Sequence, residues 1–152
     1  MPSIEDVPKL DWCRAVIEET LRLYPPVPIL ARQAREADEI DGHPIKPASL
    51  ALVVPWLLHR AQDLWDAPHL FKPERFLGEQ RPIPYSYIPF AIGPRICAGL
   101  NFGLTESILC LAILVQRFKV RVVEDYKVEP VCRLTLRPNN GLMVRIEKRA
   151  RE

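Results

Sequence analysis

The stretch Pro89–Gly103, PFAIGPRICAGLNFG, constrains this chain more than any other. A turn rich in glycine and proline carries one cysteine and opens directly into a long apolar helical pattern. Phe90 is followed after two residues by Gly93, and then Arg95, Cys97 and Gly99 occupy alternate positions. A helix start presents unpaired N–H groups and about half a positive charge, so a cysteine there is biased towards thiolate. Gly93 and Gly99 allow left-handed or crowded backbone beside the sulfur. Arg95 supplies a permanent cation that can grip an anionic group of whatever the sulfur binds. The residues alone leave a second interpretation open, a buried structural cysteine in a turn.

The other cysteines are Cys13, Cys110 and Cys132, with no C-x-x-C pair and no close pair of histidines. This spacing argues against a zinc site, an iron–sulfur cluster or a disulfide scaffold, and it suits a reducing compartment. A length of 152 residues is enough for one domain with a core. With 21 basic and 19 acidic residues the net charge is +2, which points to no nucleic-acid partner. Sixteen prolines predict much irregular or extended chain. Glu5 and Asp6 follow Met1 with no apolar run after them, so no secretory leader is expected. No uncharged apolar run reaches membrane-spanning length, and a cytoplasmic chain is expected.

In order along the chain, Ser3 with Glu5 and Asp6 signals a helix start, and the periodicity predicts a helix over Leu10–Tyr24. Its apolar face is Trp12, Val16, Ile17, Leu21, Leu23 and Tyr24, and Pro25-Pro26 ends it. Glu19 and Arg22 sit three apart and meet on one side; an exposed pair worth a few tenths of a kcal/mol is one interpretation. Val27–Ala34 reads as extended, Asp41-Gly42 as a hairpin turn, and Leu50–Val54 as a strand bracketed by Pro47 and Pro55, hence at an edge. A short helix and a proline-punctuated meander come next, then a loop over Gly78–Pro89. Leu100–Phe118 is apolar almost all round, which predicts a helix sandwiched by other elements. Strands are expected at Lys119–Val123, Val131–Leu136 and Leu142–Ile146, with Pro138–Gly141 turning between the last two, and the Lys148–Glu152 tail is expected to fray.

Three motifs then stand in one order: ETLRLYPP with Glu19 and Arg22, HRAQDLWDAPHLFKPERF with Arg75, and the Cys97 loop. Together they resemble the C-terminal part of the cytochrome P450 family, the haem-thiolate monooxygenases. The resemblance implies an α+β fragment of a mainly α fold: the E-x-x-R helix, a small sheet, the meander, the cysteine loop, a long apolar helix and terminal strands. It implies residues 1–152 as the C-terminal part of a single domain, truncated ahead of the E-x-x-R helix. Cys97 would be the axial thiolate of haem iron, with Phe90 beside the sulfur and Gly93 and Gly99 shaping the loop. Arg95 would pair with one haem propionate and Arg32 with the other. Glu19, Arg22 and Arg75 would form a buried structural network. Val27, Ile29, Leu30, Leu134 and Thr135 match segments that line the substrate pocket.

The function so implied is insertion of one oxygen atom from dioxygen into an apolar small molecule, with electrons from a ferredoxin or flavin reductase. The acid–threonine helix of the family is not found between Met1 and Glu152, so no catalytic residue is assigned. That leaves two alternatives: a haem-binding remnant without activity of its own, and an interaction module in which Cys97 is merely buried. A membrane anchor in a longer parent would lie outside these residues.

Overall fold

The computed structural model describes residues 1–79 and 81–150. Arg151 and Glu152, the end of the expected frayed tail, and Gln80 of the Gly78–Pro89 loop lie outside the described residues. A 3₁₀ turn over Ile4–Lys9 leads into helix α1, Asp11–Leu23. Ser3 starts that turn by donating its N–H and its hydroxyl to Asp6 Oδ2 at 2.9 and 3.0 Å. Pro25 and Pro26 come directly after α1, as proline chemistry requires of a helix stop.

Among the described residues, eight strands make four antiparallel pairs. β1 (Leu30–Gln33) pairs with β4 (Leu50–Val53), with Arg32 opposite Ala51. Between them β2 (Asp38–Ile40) and β3 (His43–Ile45) form a hairpin. Its two-residue turn, Asp41-Gly42, has φ of 51° and 76°, the left-handed pair that matches strand twist. Pro55 occupies the first turn of the short helix α2, Pro55–Leu58, where its missing N–H costs nothing. After the meander and the cysteine loop, α3 spans Leu100–Arg117.

The C-terminal strands depart from expectation. Val131–Leu136 is not one strand. β6 (Pro130–Cys132) and β7 (Leu136–Pro138) pair with each other, placing Arg133, Leu134 and Thr135 in the connecting turn. Nor does Pro138–Gly141 turn between paired strands, because β8 (Val144–Lys148) pairs with β5 (Phe118–Val122). The reason lies in Asn140, whose side chain accepts from Glu129 N–H at 3.1 Å and donates to Lys127 O at 2.8 Å. Those bonds close the turn onto the preceding segment, and Val123–Tyr126 carries the chain on from β5. Arg149 N–H donates to Arg117 O at 2.8 Å, so pairing continues one residue past β8.

The core sits where α1 meets the meander. Ala15, Trp65 and Phe76 are buried together, with Leu64, Leu77 and Tyr87 packed against them. Only part of the expected α1 face is buried: Leu23 is inside, while Trp12 and Tyr24 are exposed. Ala15, Glu19 and Arg22 take the inner positions instead. Small and polar residues win that face because α1 lies directly over the backbone of the meander, whose carbonyls need donors.

α3 also differs from expectation. It rests on α1 and the N-terminal turn through Ile108 and Ala112, its only buried residues, while Phe102, Cys110, Leu114 and Val115 are exposed. Among the described residues it is the one helix long and apolar enough to cross a membrane by length and composition. Its 18 residues include Glu106 and Arg117, so it is not an uncharged run.

Candidate haem-thiolate site

The site has a buried brace and an exposed loop. In the brace, Arg22 and Glu19 pair through two parallel hydrogen bonds, Nε to Oε2 at 2.7 Å and Nη2 to Oε1 at 2.9 Å. Both side chains are 0% exposed. The pair is therefore no surface bridge. Arg75, from the 3₁₀ turn Pro73–Phe76, donates Nε to Glu19 Oε1 at 3.2 Å, and Lys72 N–H donates to the same oxygen at 2.7 Å. Arg22 spends its remaining N–H groups on backbone: Nη1 on His59 O at 2.6 Å and Pro68 O at 2.8 Å, Nη2 on Leu70 O at 3.1 Å. The meander has no ladder of its own, so its buried carbonyls need donors, and a planar guanidinium supplies them in a fixed fork.

Several members of this brace had no role assigned by the motifs, although His59, Trp65 and Lys72 lie within HRAQDLWDAPHLFKPERF. His59 is fully buried, with Nδ1 3.1 Å from Arg22 O and Nε2 accepting Ile88 N–H at 2.9 Å. Burial, with Arg22 and Arg60 nearby, lowers its pKa from 6.5 to about 4. Tyr87 donates its hydroxyl to Glu18 O at 3.0 Å and packs 5.4 Å from the His59 ring. Burial raises the Tyr87 pKa, and the Glu18 and Glu19 carboxylates push it the same way. Trp65 stacks under two cations, 5.1 Å from Arg22 and 5.8 Å from Arg75, and its buried Nε1 has no hydrogen-bond partner among the described residues. The available signal for His59 was its place at the start of the motif HRAQDLWDAPHLFKPERF.

The loop runs from Pro89 to Gly99. Cys97 is exposed, with its N–H donated to Phe90 O at 2.9 Å. Ile96 N–H bonds back to Gly93 O at 3.0 Å, and Leu100 N–H to Cys97 O at 3.2 Å, which starts α3. Gly93 has φ +66° and Ala91 +60°, so the left-handed turn precedes the cysteine. Gly99 does not share it: its φ is −88°, and a Cβ there would lie 3.9 Å from Cys97 Sγ, an ordinary contact. The expectation of a buried cysteine is set aside by the exposure of Cys97.

Arg95 is exposed at the end of the 3₁₀ turn Gly93–Arg95 and has no carboxylate partner among the described residues. Arg32 lies on β1 with its Nη1 on Ala31 O at 2.8 Å. Phe90 is half-buried. The pocket candidates are dispersed. A cavity of about 300 Å³ is lined by Pro28, Ile29, Val54, Trp56, Pro130, Cys132 and Leu136. It forms where Leu136 N–H bonds to Pro26 O at 2.8 Å, drawing β7 onto the segment after α1. Of the five expected residues only Ile29 lines it. Val27, Leu134 and Thr135 are exposed and Leu30 half-buried, because the β6–β7 hairpin carries Leu134 and Thr135 out on its tip.

A cysteine loop set on a left-handed turn, continued by a long helix and braced by a buried Glu–Arg–Arg network, is the architecture of the haem-thiolate proteins. The cytochrome P450 family model matches residues 1–146, and the chain belongs to that family. Cytochrome P450 4V2 of Mus musculus is 37% identical over 150 residues, covering 97% of this chain and 29% of the relative. Cytokinin hydroxylase of Arabidopsis thaliana is 38% identical over 147 residues, 95% of this chain and 28% of its own. The crystal structure of the cytochrome P450DA heme domain superposes with a TM-score of 0.91 at 29% identity, covering 99% of this chain and 33% of that one. The chain thus spans under a third of the length of these curated relatives.

The family implies haem, and the donor set fits it. Cys97 is an exposed soft sulfur donor, Phe90 an apolar neighbour, and Arg95 and Arg32 are exposed guanidinium groups suited to carboxylates.

Proposed function

We propose that this chain is the haem-thiolate portion of a cytochrome P450 monooxygenase, with Cys97 as the axial ligand. The observation that carries this reading is the exposed Cys97, tied through its own N–H to Phe90 O in a left-handed turn at the start of α3. A thiolate-ligated haem, when bound, supplies the chemistry that cleaves dioxygen and delivers one oxygen atom to a C–H bond. The chain's own residues hold and shape that group. Arg95 and Arg32 would bind its two propionates, Phe90 would pack beside the sulfur, and Gly93 gives the loop its turn. The Glu19–Arg22–Arg75 brace keeps the loop's foundation rigid without touching the chemistry. Ile29, in the apolar cavity, supports an apolar small-molecule substrate, and a ferredoxin or flavin reductase delivers the electrons. Four free cysteines suit a reducing compartment such as the cytoplasm.

A second reading, haem binding without turnover by these residues alone, is favoured by the exposure of Val27, Leu134 and Thr135. Oxygen activation needs a shielded, water-excluding pocket, and residues on an open surface do not build one. One experiment separates the readings: the reduced, CO-bound spectrum of the chain with haem, and then a substrate-dependent oxidation assay with a competent reductase. Cys97→Ser abolishes the thiolate-type spectrum under either reading, while Cys13→Ser, Cys110→Ser and Cys132→Ser leave it intact. Product formation then selects the enzyme over the haem-binding chain. Equal spectral loss in any of the three controls would identify a different sulfur.

A further inference from the structure

His59 is fully buried, has no role assigned by the motif HRAQDLWDAPHLFKPERF that it opens, and makes contacts that lead stepwise towards Cys97. Ile88 N–H points at Nε2 across 2.9 Å, so Nε2 is the unprotonated nitrogen. The ring proton therefore sits on Nδ1 and is donated to Arg22 O at 3.1 Å. The His59 carbonyl in turn accepts Arg22 Nη1 at 2.6 Å, so histidine and arginine clasp each other through side chain and backbone. From Ile88 the bonding continues into the loop. Ile88 O accepts Ala91 N–H at 3.1 Å, and Phe90 O accepts Cys97 N–H at 2.9 Å. Ala91 holds φ +60° without being glycine, a conformation that persists only where its surroundings fix it.

We propose that His59 is a positioning residue: in its Nδ1–H tautomer it couples the buried Glu19–Arg22 pair to Ile88 and thereby sets the backbone path of the Cys97 loop. The coupling rests on the assignment of Cys97 as ligand only for its consequence in the holoprotein; the mechanical link stands on the hydrogen bonds alone. Tyr87 closes the site over the ring, and Trp65 lies edge-on to Tyr87. Water therefore has no open route to replace the Nε2 acceptor.

Two amide variants divide the link. His59→Asn keeps a donor near the Nδ1 position and loses the acceptor for Ile88. His59→Gln reaches the Nε2 position with a carbonyl oxygen. The measurement is native-state hydrogen exchange of the haem-free 152-residue chain at Ile88, Ala91 and Cys97, with amides in the middle of α1 as the internal control. Losing one buried acceptor should speed exchange at the three loop amides by about tenfold in His59→Asn. The α1 amides should hold in His59→Asn, and His59→Gln should stay within about twofold at the three loop amides. Uniform acceleration of loop and helix in both variants would make His59 an ordinary core residue and overturn the proposal. So would unchanged loop exchange in His59→Asn. If His59→Asn fails to fold, His59→Gln decides alone: about tenfold faster loop exchange there overturns the coupling. Because exchange is read without haem, failure of the Cys97 assignment appears separately, as a missing thiolate spectrum in the unmutated chain.

Discussion

Replacing Glu19 by glutamine tests the brace at its most connected atom group. The carboxylate accepts four hydrogen bonds, two from Arg22, one from Arg75 and one from the Lys72 backbone. Glutamine keeps one acceptor oxygen and turns an NH₂ towards the guanidinium, leaving Arg22 buried with no counter-charge. Breaking one side of a buried pair costs about 3–5 kcal/mol, a substantial part of a small domain's margin of about 5–15 kcal/mol. Arg75→Ala removes only one bond from Glu19, at a side chain 11% exposed, and leaves the Arg22 pair intact. Its cost should be about 1–3 kcal/mol, the range of one hydrogen bond to a charged group. Substituting leucine for both Glu19 and Arg22 should not rescue stability, although such swaps often do for isolated pairs. Here the carbonyls of His59, Pro68 and Leu70 and the N–H of Lys72 would all lose their partners. Urea unfolding monitored by far-UV circular dichroism and by Trp65 fluorescence reports the order. An Arg75→Ala loss equal to or larger than that of Glu19→Gln would refute the reasoning, as would a Glu19→Gln loss within about 0.5 kcal/mol of zero.

His59 gives the chain an acid-labile contribution. Its pKa falls from 6.5 unfolded to about 4 folded, so the native state binds fewer protons, and stability is fully present above pH 6.5 and lost as pH falls through 4. The limit is about 3 kcal/mol. Urea midpoints from pH 7 to 4.5 should decline less in His59→Gln than in the unmutated chain, and identical slopes would count against it. Trp65→Phe removes an indole N–H that has no partner, so its cost should stay within about 1.5 kcal/mol, against about 3–5 for Trp65→Ala. Thermal melting of the two variants decides, and a Phe cost matching the Ala cost would show that the cations above the ring depend on indole.

The cysteine loop, α1 and α3 were legible because each rests on local signals: glycine and proline in a turn, and apolar periodicity of 3.6 residues. The Asp41-Gly42 hairpin was legible for the same reason, since its turn chemistry is contained in two residues. Strand pairing was not. β5 finds β8 across 21 intervening residues, from Val123 to Met143, and nothing in FKVRV specifies VRIEK over the nearer β6 and β7. Short strands of three to five residues carry too little alternation to define partners. The brace was half legible. Glu19, Arg22 and Arg75 have roles that recognisable motifs imply, whereas His59 and the Lys72 N–H, inside the second motif, and Tyr87, outside it, act through long-range hydrogen bonds that leave no period. Leu134 and Thr135 were expected beside a pocket because the family resemblance implied it, with Val131–Leu136 read as one strand. A hairpin needs only one tight turn to carry them away from it.

In α3 the apolar pattern outruns its contacts. Ile108 and Ala112 form one buried stripe, and Leu114 lies round the helix from it, half-exposed. Phe102 is 73% exposed and Val115 44%, so an extended apolar surface faces solvent in this chain. Surfaces of that kind drive association. Leu114→Glu should therefore cost little in stability, within about 0.5 kcal/mol, because its side chain gives up no complete burial. It should also lower the sedimentation coefficient at high protein concentration by weakening self-association. Ile108→Glu, at 3% exposed, places a carboxylate among α1 side chains and should cost several kcal/mol or unfold the chain outright. Sedimentation velocity across a concentration series, with a thermal melt of each variant, measures both effects. If Leu114→Glu destabilised the chain as severely as Ile108→Glu, the face would be covered in solution, and α3 would be a sandwiched helix after all.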